Sequence, residues 1–278
     1  LMAALLEDGE LTEFAAESEK QGDLVGNVYK GRVTNVLAGM QAAFVACGLE
    51  RNCYLSIEET YTDYSKYDGA LGVPKTGPLD LKEGDEIIVQ VTKPPRGNKG
   101  AKVTTHLSFV GKNLIFLPNT DFVGISRKIE DEELRQNLIF TADKMREKDS
   151  EGFIVRTQAP FVTRRQLKRE AEYLKNLYRA MRDYAAKAPV GSVLCKDVDL
   201  PVLRDSMGDD VTAMYVGDKE LYERLLSLVR LRGDFPERKL ILYTGKRAMM
   251  REYGISPLVF AAAQPMVSLE NGAYLVID

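Results

Sequence analysis

The chain has 278 residues, 45% apolar and 28% charged, with a formal net charge of −3, a length that allows two or three units with cores of their own. No apolar run approaches the ~18 residues of a membrane span, and the opening Leu1-Met2-Ala3-Ala4-Leu5-Leu6 turns acidic without the basic flank and cleavage site of a secretory leader, so a soluble, cytoplasmic protein is expected. His106 is the only histidine and Cys47, Cys53 and Cys195 follow no paired spacing, which leaves no room for two-histidine nuclease chemistry or a multi-histidine metal site and indicates neither a disulfide framework nor a zinc knuckle.

Residues 25–108 read as strands. Residues 28–36 alternate, 42–45, 53–55, 87–92 and 102–105 follow, and Gly39, Gly48, Gly84 and Gly97 punctuate them, the rhythm of a small closed β unit. Residues 61–81 carry tyrosines, glycines and prolines without periodicity and read as a long loop. Phe44 and Tyr54 either fill the barrel core or stand on one face where bases can stack, with Lys30, Arg32, Lys93, Arg96 and Lys99 available to line a groove. Residues 93–102 form a glycine-bearing basic loop suited to phosphate, but without the spacing and helix of a Walker loop.

Residues 109–200 are mixed, with strands at 114–117 and 152–157 and a helix over 131–146. A longer helix over 164–187 places Leu167, Ala171, Leu174, Leu177, Met181 and Tyr184 on one face and stops at Pro189. It carries eight Lys/Arg against three Asp/Glu, either as a solvated face or as a docking face. Arg156 and Thr157, at a strand end, offer a planar fork and a hydroxyl to phosphate oxygens, or else form a surface ion pair. The last third alternates strand 211–216, a helix capped by Asp218, strand 240–243 and another short helix, a small α/β layer. Asp205, Asp209 and Asp210 invite a metal reading, although Asp209-Asp210 looks like a turn. Tyr274-Leu275-Val276-Ile277 reads as an apolar strand directly before Asp278, so the parent protein is expected to continue.

Gly26-Asn27-Val28-Tyr29-Lys30-Gly31-Arg32-Val33, Gly39-Met40-Gln41-Ala42-Ala43-Phe44-Val45 and Arg96-Gly97-Asn98-Lys99-Gly100-Ala101 together resemble the ribosomal S1-type barrel of the ribonuclease E/G family. The resemblance continues through Leu117-Pro118-Asn119, residues 123–130, 152–157 and 239–245, nearly the whole chain. It implies an α+β multidomain fold: an S1-type OB-fold barrel over 23–106 and a 5'-sensor α/β subdomain over 107–199, inserted into an RNase-H-like α/β subdomain built from 1–22 and 200–262. Residues 263–278 would open a DNase-I-like catalytic subdomain.

Carried over to this sequence, the resemblance implies that Phe44, Tyr54 and Lys99 hold single-stranded RNA. It likewise implies that Gly111, Ile115, Arg127, Arg156 and Thr157 surround a 5'-monophosphate, the glycine admitting close backbone approach. Tyr54 stands where phenylalanine is commoner, and its ring can still stack. The RNase-H-like subdomain is structural in the family. The aspartates that bind catalytic Mg²⁺, and the cysteine pair that links subunits of the homo-oligomeric parent through zinc, would lie beyond Asp278. This chain is therefore expected to contain no catalytic residue, metal site or bound cofactor, and to bind RNA without cutting it, within a parent endoribonuclease of RNA processing and decay. The alternatives are a non-catalytic S1-type RNA-binding adaptor, and a structural module whose rings are core and whose basic helix docks a protein.

Overall fold

The computed structural model describes residues 2–16, 24–56, 67–71, 81–147, 151–196, 201–206, 211–232, 235–268 and 272–276. Its first element is an antiparallel hairpin of β1 (Met2–Glu7) and β2 (Glu10–Ala16). The hairpin turns through Asp8 and Gly9, at φ 51° and 87°, the doubly positive φ that a two-residue turn needs to match strand twist. Sequence patterning misses this hairpin because the run of apolar residues in β1 does not alternate.

Five strands close the barrel: β3 (Val28–Leu37), β4 (Ala42–Ala46), β5 (Cys53–Ser56) and, beyond β6 (Tyr67–Leu71), β7 (Glu86–Lys93) and β8 (Lys102–Thr104). The order around it is β3-β4-β5-β8-β7 and back to β3, with β5 and β8 parallel and the other pairs antiparallel. In barrel-strand numbers this is 1-2-3-5-4-1, consistent with an OB-fold. Alternation sends Val45, Cys53, Leu55, Val89, Val91 and Val103 inward, all fully buried. A Cβ at Gly31 would overlap the Val45 side chain and crowd the Cys47 sulfur, so glycine there lets β3 close on β4. Cys47 and Cys53 belong to this core. The Cys53 hydrogen bond, then burial, pushes the Cys47 thiol up, and it behaves as a small buried residue.

The stretch read as loop contains β6, which leaves the barrel and forms the edge of a second sheet by antiparallel pairing with β11 (Val123–Ser126). Its order, β6-β11-β12-β10-β9, is completed by β9 (Phe109–Val110), β10 (Leu114–Leu117) and β12 (Gly152–Val155). β6 has no strand signature of its own; a neighbour's open edge supplies its hydrogen bonds.

The parallel pair β11 and β12 is joined through α1 (Glu132–Asp143), whose N-cap Asp131 accepts from the Leu134 amide. Thr163 and Gln166 form a reciprocal capping box at the start of α2 (Arg164–Ala185). Both helices cover the sheet face that carries Phe116, Ile125 and Phe153, with Leu138, Ile139, Leu167, Ala171, Leu174 and Met181 in the same core. Tyr184, expected on this face, is 51% exposed, and Ala185 takes its place. Past the short β13 (Val193–Cys195), which pairs with β3, comes α3 (Pro201–Ser206).

The remaining elements are β14 (Met214–Val216), α4 (Lys219–Arg232), β15 (Leu240–Leu242), α5 (Met249–Glu252), α6 (Ile255–Ala262) and an antiparallel pair, β16 (Met266–Ser268) and β17 (Tyr274–Val276). β14 and β15 are parallel, and the Asp218 side chain caps α4 through the Leu221 amide at 2.7 Å, as the sequence predicts. Residues Leu1–Ser18 and Ser206–Asp278 group as one unit and Glu19–Asp205 as the other. Among the described residues no helix is long and apolar enough to cross a membrane.

Candidate nucleic-acid interface

On β4 and β5 the inward positions are Ala43, Val45, Cys53 and Leu55, each 0% exposed. Phe44 and Tyr54 lie between them and therefore point outward. They are directly opposed across the strand pair, half-buried, with ring centroids 6.3 Å apart and planes at 71°. This edge-to-face pair stands on the barrel wall, and each ring keeps open surface.

Lys99 is exposed on a tight turn in which Arg96 and Lys99 exchange backbone hydrogen bonds at 3.1 Å. Gly97, at φ 57°, makes that turn possible. Arg51 ties it to the barrel by donating to the Asn98 carbonyl at 2.8 Å. A side chain at Gly100 would run into the Asn52 carbonyl, so the glycine lets the turn sit against the start of β5. Ala101, two residues after Lys99, accepts from the Tyr54 amide at 2.8 Å, which ties this turn to the strand that carries Tyr54. Two of the five proposed groove cations are committed elsewhere. Lys30 and Arg32 share Glu86 at 3.1 and 2.7 Å, and Lys30 also donates to the Ala188 carbonyl. Lys93, Arg96 and Lys99 remain exposed.

The residues expected around phosphate converge at one end of the second sheet. Arg127 follows β11 and Arg156-Thr157 follows β12, two parallel neighbours whose last pair is Ile125 with Val155. Open α/β layers bind ligands outside such carboxyl ends. The Thr157 and Ser126 hydroxyls are 3.2 Å apart. Arg156 reaches the turn between β9 and β10, its guanidinium donating to the carbonyls of Gly111 and Lys112. Ile115 is different: it is 7% exposed and packs with Leu117, Phe122 and Ile154, so what it contributes is apolar bulk.

Sequence reasoning missed Glu170 and Arg135, which shape the site, and raised Asp205 only as a metal candidate. Glu170, 6% exposed on α2, accepts from the Asn113 amide and side chain and from the Leu114 amide. A Cβ at Gly111 would collide with its carboxylate, so this glycine is required by a protein neighbour as well as by any ligand. Arg135, on α1, fastens the segment after β11 by donating to the carbonyls of Ser126 and Ile129. Asp205, on α3, meets the Arg156 fork at 2.9 and 3.2 Å and also Arg204 at 2.9 Å. Asp205 lies 49 residues from Arg156 in sequence, and no local pattern could have paired them.

Burial alone would raise the Asp205 carboxyl, but the hydrogen bonds from Arg156 and Arg204 outweigh it and hold the group below its usual range. A depressed folded value means that Asp205 contributes stability above the ordinary aspartate value of about 3.9 and loses it as pH falls through the depressed one. Asp205→Asn should therefore flatten the acid limb of the unfolding curve below about pH 4, read by circular dichroism. Asp205 is thus an ion-pair partner and not a free ligand. Asp209 and Asp210 lie outside the described residues. Among the described residues no three His, Cys, Asp or Glu side chains converge to hold a cation.

Comparison with known proteins follows the same lines. The sequence profile of the ribonuclease E/G family matches residues 108–278. The chain is 33% identical to ribonuclease G of Haemophilus influenzae over 281 residues, covering 99% of this chain and 57% of that protein. It is 31% identical to ribonuclease G of Escherichia coli K12 with the same coverage, and 32% identical to ribonuclease E of Haemophilus influenzae, covering 100% of this chain and 30% of the relative. It spans little more than half the length of the ribonuclease G relatives.

Proposed function

The chain belongs to the ribonuclease E/G family, and from that premise we propose that it is the RNA-binding and 5'-monophosphate-sensing portion of a Mg²⁺-dependent, single-strand endoribonuclease of RNA processing and decay. The observation that carries this reading is the opposed pair Phe44 and Tyr54, outward on a closed five-stranded barrel. Two rings on a barrel wall with exposed cations beside them suit unpaired bases and their phosphates. Phe44, Tyr54 and Lys99 hold the strand. Gly111, Arg127, Arg156 and Thr157, with the apolar bulk of Ile115, receive the monophosphorylated end.

In the same proposal the barrel is of S1 type and the sensor occupies 107–199. The grouping of Leu1–Ser18 with Ser206–Asp278 supports one discontinuous subdomain, of RNase-H-like character, into which both are inserted. Cleavage belongs to a cytoplasmic homo-oligomeric parent whose carboxylates and Mg²⁺ lie in a further subdomain, with zinc joining its subunits. The chain itself binds without cutting.

The test is a fluorescence-anisotropy titration with two single-stranded RNA oligomers of identical sequence, one with a 5'-monophosphate and one with a 5'-hydroxyl. Charge-assisted hydrogen bonds contribute about 1.5–3 kcal/mol each, so the monophosphate should bind at least ~10-fold tighter, with the preference abolished in Arg156→Ala. Because Arg156 also holds Gly111 and Asp205, Arg127→Ala, on an exposed side chain, serves as the second variant. Equal binding of both oligomers by the unaltered chain would sink the sensor, and RNA cleavage by the chain with Mg²⁺ would sink the assignment as a non-cutting portion.

A further inference from the structure

The register of the barrel continues the ring pair into a row that sequence order conceals. Asn35 on β3 pairs with Phe44, Phe44 with Tyr54, Tyr54 with Lys102 on the parallel strand β8, and Lys102 with Lys93 on β7. Directly opposed residues share a face, and adjacent strands lie about 4.8 Å apart. The outer wall therefore carries, in one line across the strands, two rings and then two ammonium groups.

Strict alternation would not have put Lys93 there. Val91, two residues earlier, pairs with Val103 and is buried in the barrel, so β7 would return Lys93 to the inside. Between these pairs the register shifts by one residue, so that Thr92 and Lys93 together oppose Lys102, and the Thr92 hydroxyl donates to the Lys102 carbonyl at 3.2 Å. This bulge turns the Lys93 side chain outward beside Lys102.

We propose that Lys93 and Lys102 form a phosphate-binding pair for the backbone of single-stranded RNA, continuing the Phe44–Tyr54 row and directing the strand across the barrel strands. The pair rests on the RNA-binding reading above and adds two contacts and a path to it. Bases stack on the rings, and the phosphates that follow them in the chain reach the two lysines. The pair is indifferent to base identity, because it addresses only the backbone.

Salt dependence tests it. Each phosphate neutralised on a single strand adds about 0.7 to the slope of log affinity against log salt. Lys93→Gln/Lys102→Gln should therefore lower the magnitude of that slope by about 0.7 to 1.4, and its affinity deficit should shrink about 2.5- to 7-fold between ~50 and ~200 mM salt. Lys93 is exposed and Lys102 half-buried, so intact folding of the variant is checked by an unchanged thermal midpoint. Lys168→Gln/Lys187→Gln on α2 is the charge-matched control, and Phe44→Ala/Tyr54→Ala is measured alongside. An unchanged slope in the Lys93/Lys102 variant, or an equal change in the α2 control, overturns the pair while ring-dependent binding leaves the RNA-binding reading standing. Absence of ring-dependent binding in the unaltered chain overturns both.

Discussion

Phe44→Ala/Tyr54→Ala is expected to lower affinity for unstructured RNA by about 2–6 kcal/mol in total, at least roughly thirty-fold, because each stacked base contributes about 1–3 kcal/mol. Folding changes far less. The side chains that fill the barrel at this level are Ala43, Val45, Cys53 and Leu55, all fully buried, and the rings lie on the opposite side of the same strands. What the double variant loses in stability is one cross-strand aromatic contact, about 0.2–1 kcal/mol. Anisotropy titration at fixed salt, together with thermal unfolding, separates the two effects. A large drop in thermal midpoint with unchanged affinity would show that the rings serve the barrel and not a ligand.

The second large effect concerns folding. Lys175→Met destabilises the Glu19–Asp205 unit by about 3–5 kcal/mol, the penalty for removing one partner of a buried ion pair. Lys175 is 3% exposed. Its ammonium donates to the Met145 carbonyl, lies 3.1 Å from both Glu147 and Glu151, and sits over the Phe153 ring at 5.9 Å. Methionine keeps most of the volume but strands Glu151, whose side chain is only 11% exposed. Urea unfolding measures the loss, and Lys175→Met/Glu151→Gln should recover part of it, because the stranded charge is then gone. No recovery in the double variant would mean that lost packing, and not the unpaired carboxylate, sets the cost. Glu147 is held below its usual range first by the Lys175 hydrogen bond, so its share is present at neutral pH and fades as pH falls through that lowered value.

These two results mark where one-dimensional reading succeeds and where it stops. Alternation and helical spacing place β10, β12, α1 and α2 close to their observed limits, and they identify Leu167, Ala171, Leu174 and Met181 as core. The same spacing puts Glu170 and Lys175 among the charges of a basic helix. Both are buried, each because partners outside the helix satisfy it: the Asn113 and Leu114 amides for Glu170, and two glutamates for Lys175. A charge count cannot distinguish a solvated lysine from one that closes a buried network.

The sequence by itself placed the small closed β unit, the helices near 131–146 and 164–187 and the Asp218 cap, because a period of 2 or 3.6 assigns each side chain to a face within its own element, whereas the candidates Phe44, Tyr54, Lys99, Gly111, Ile115, Arg127, Arg156 and Thr157 came from the resemblance to the family. Tertiary structure alone decided that the rings point outward, that β6 completes the second sheet, that Asp205 takes the Arg156 fork and that a one-residue bulge sets Lys93 beside Lys102. Those outcomes depend on register and closure between segments far apart in the chain, and a shift of one residue reverses the face on which a strand side chain stands.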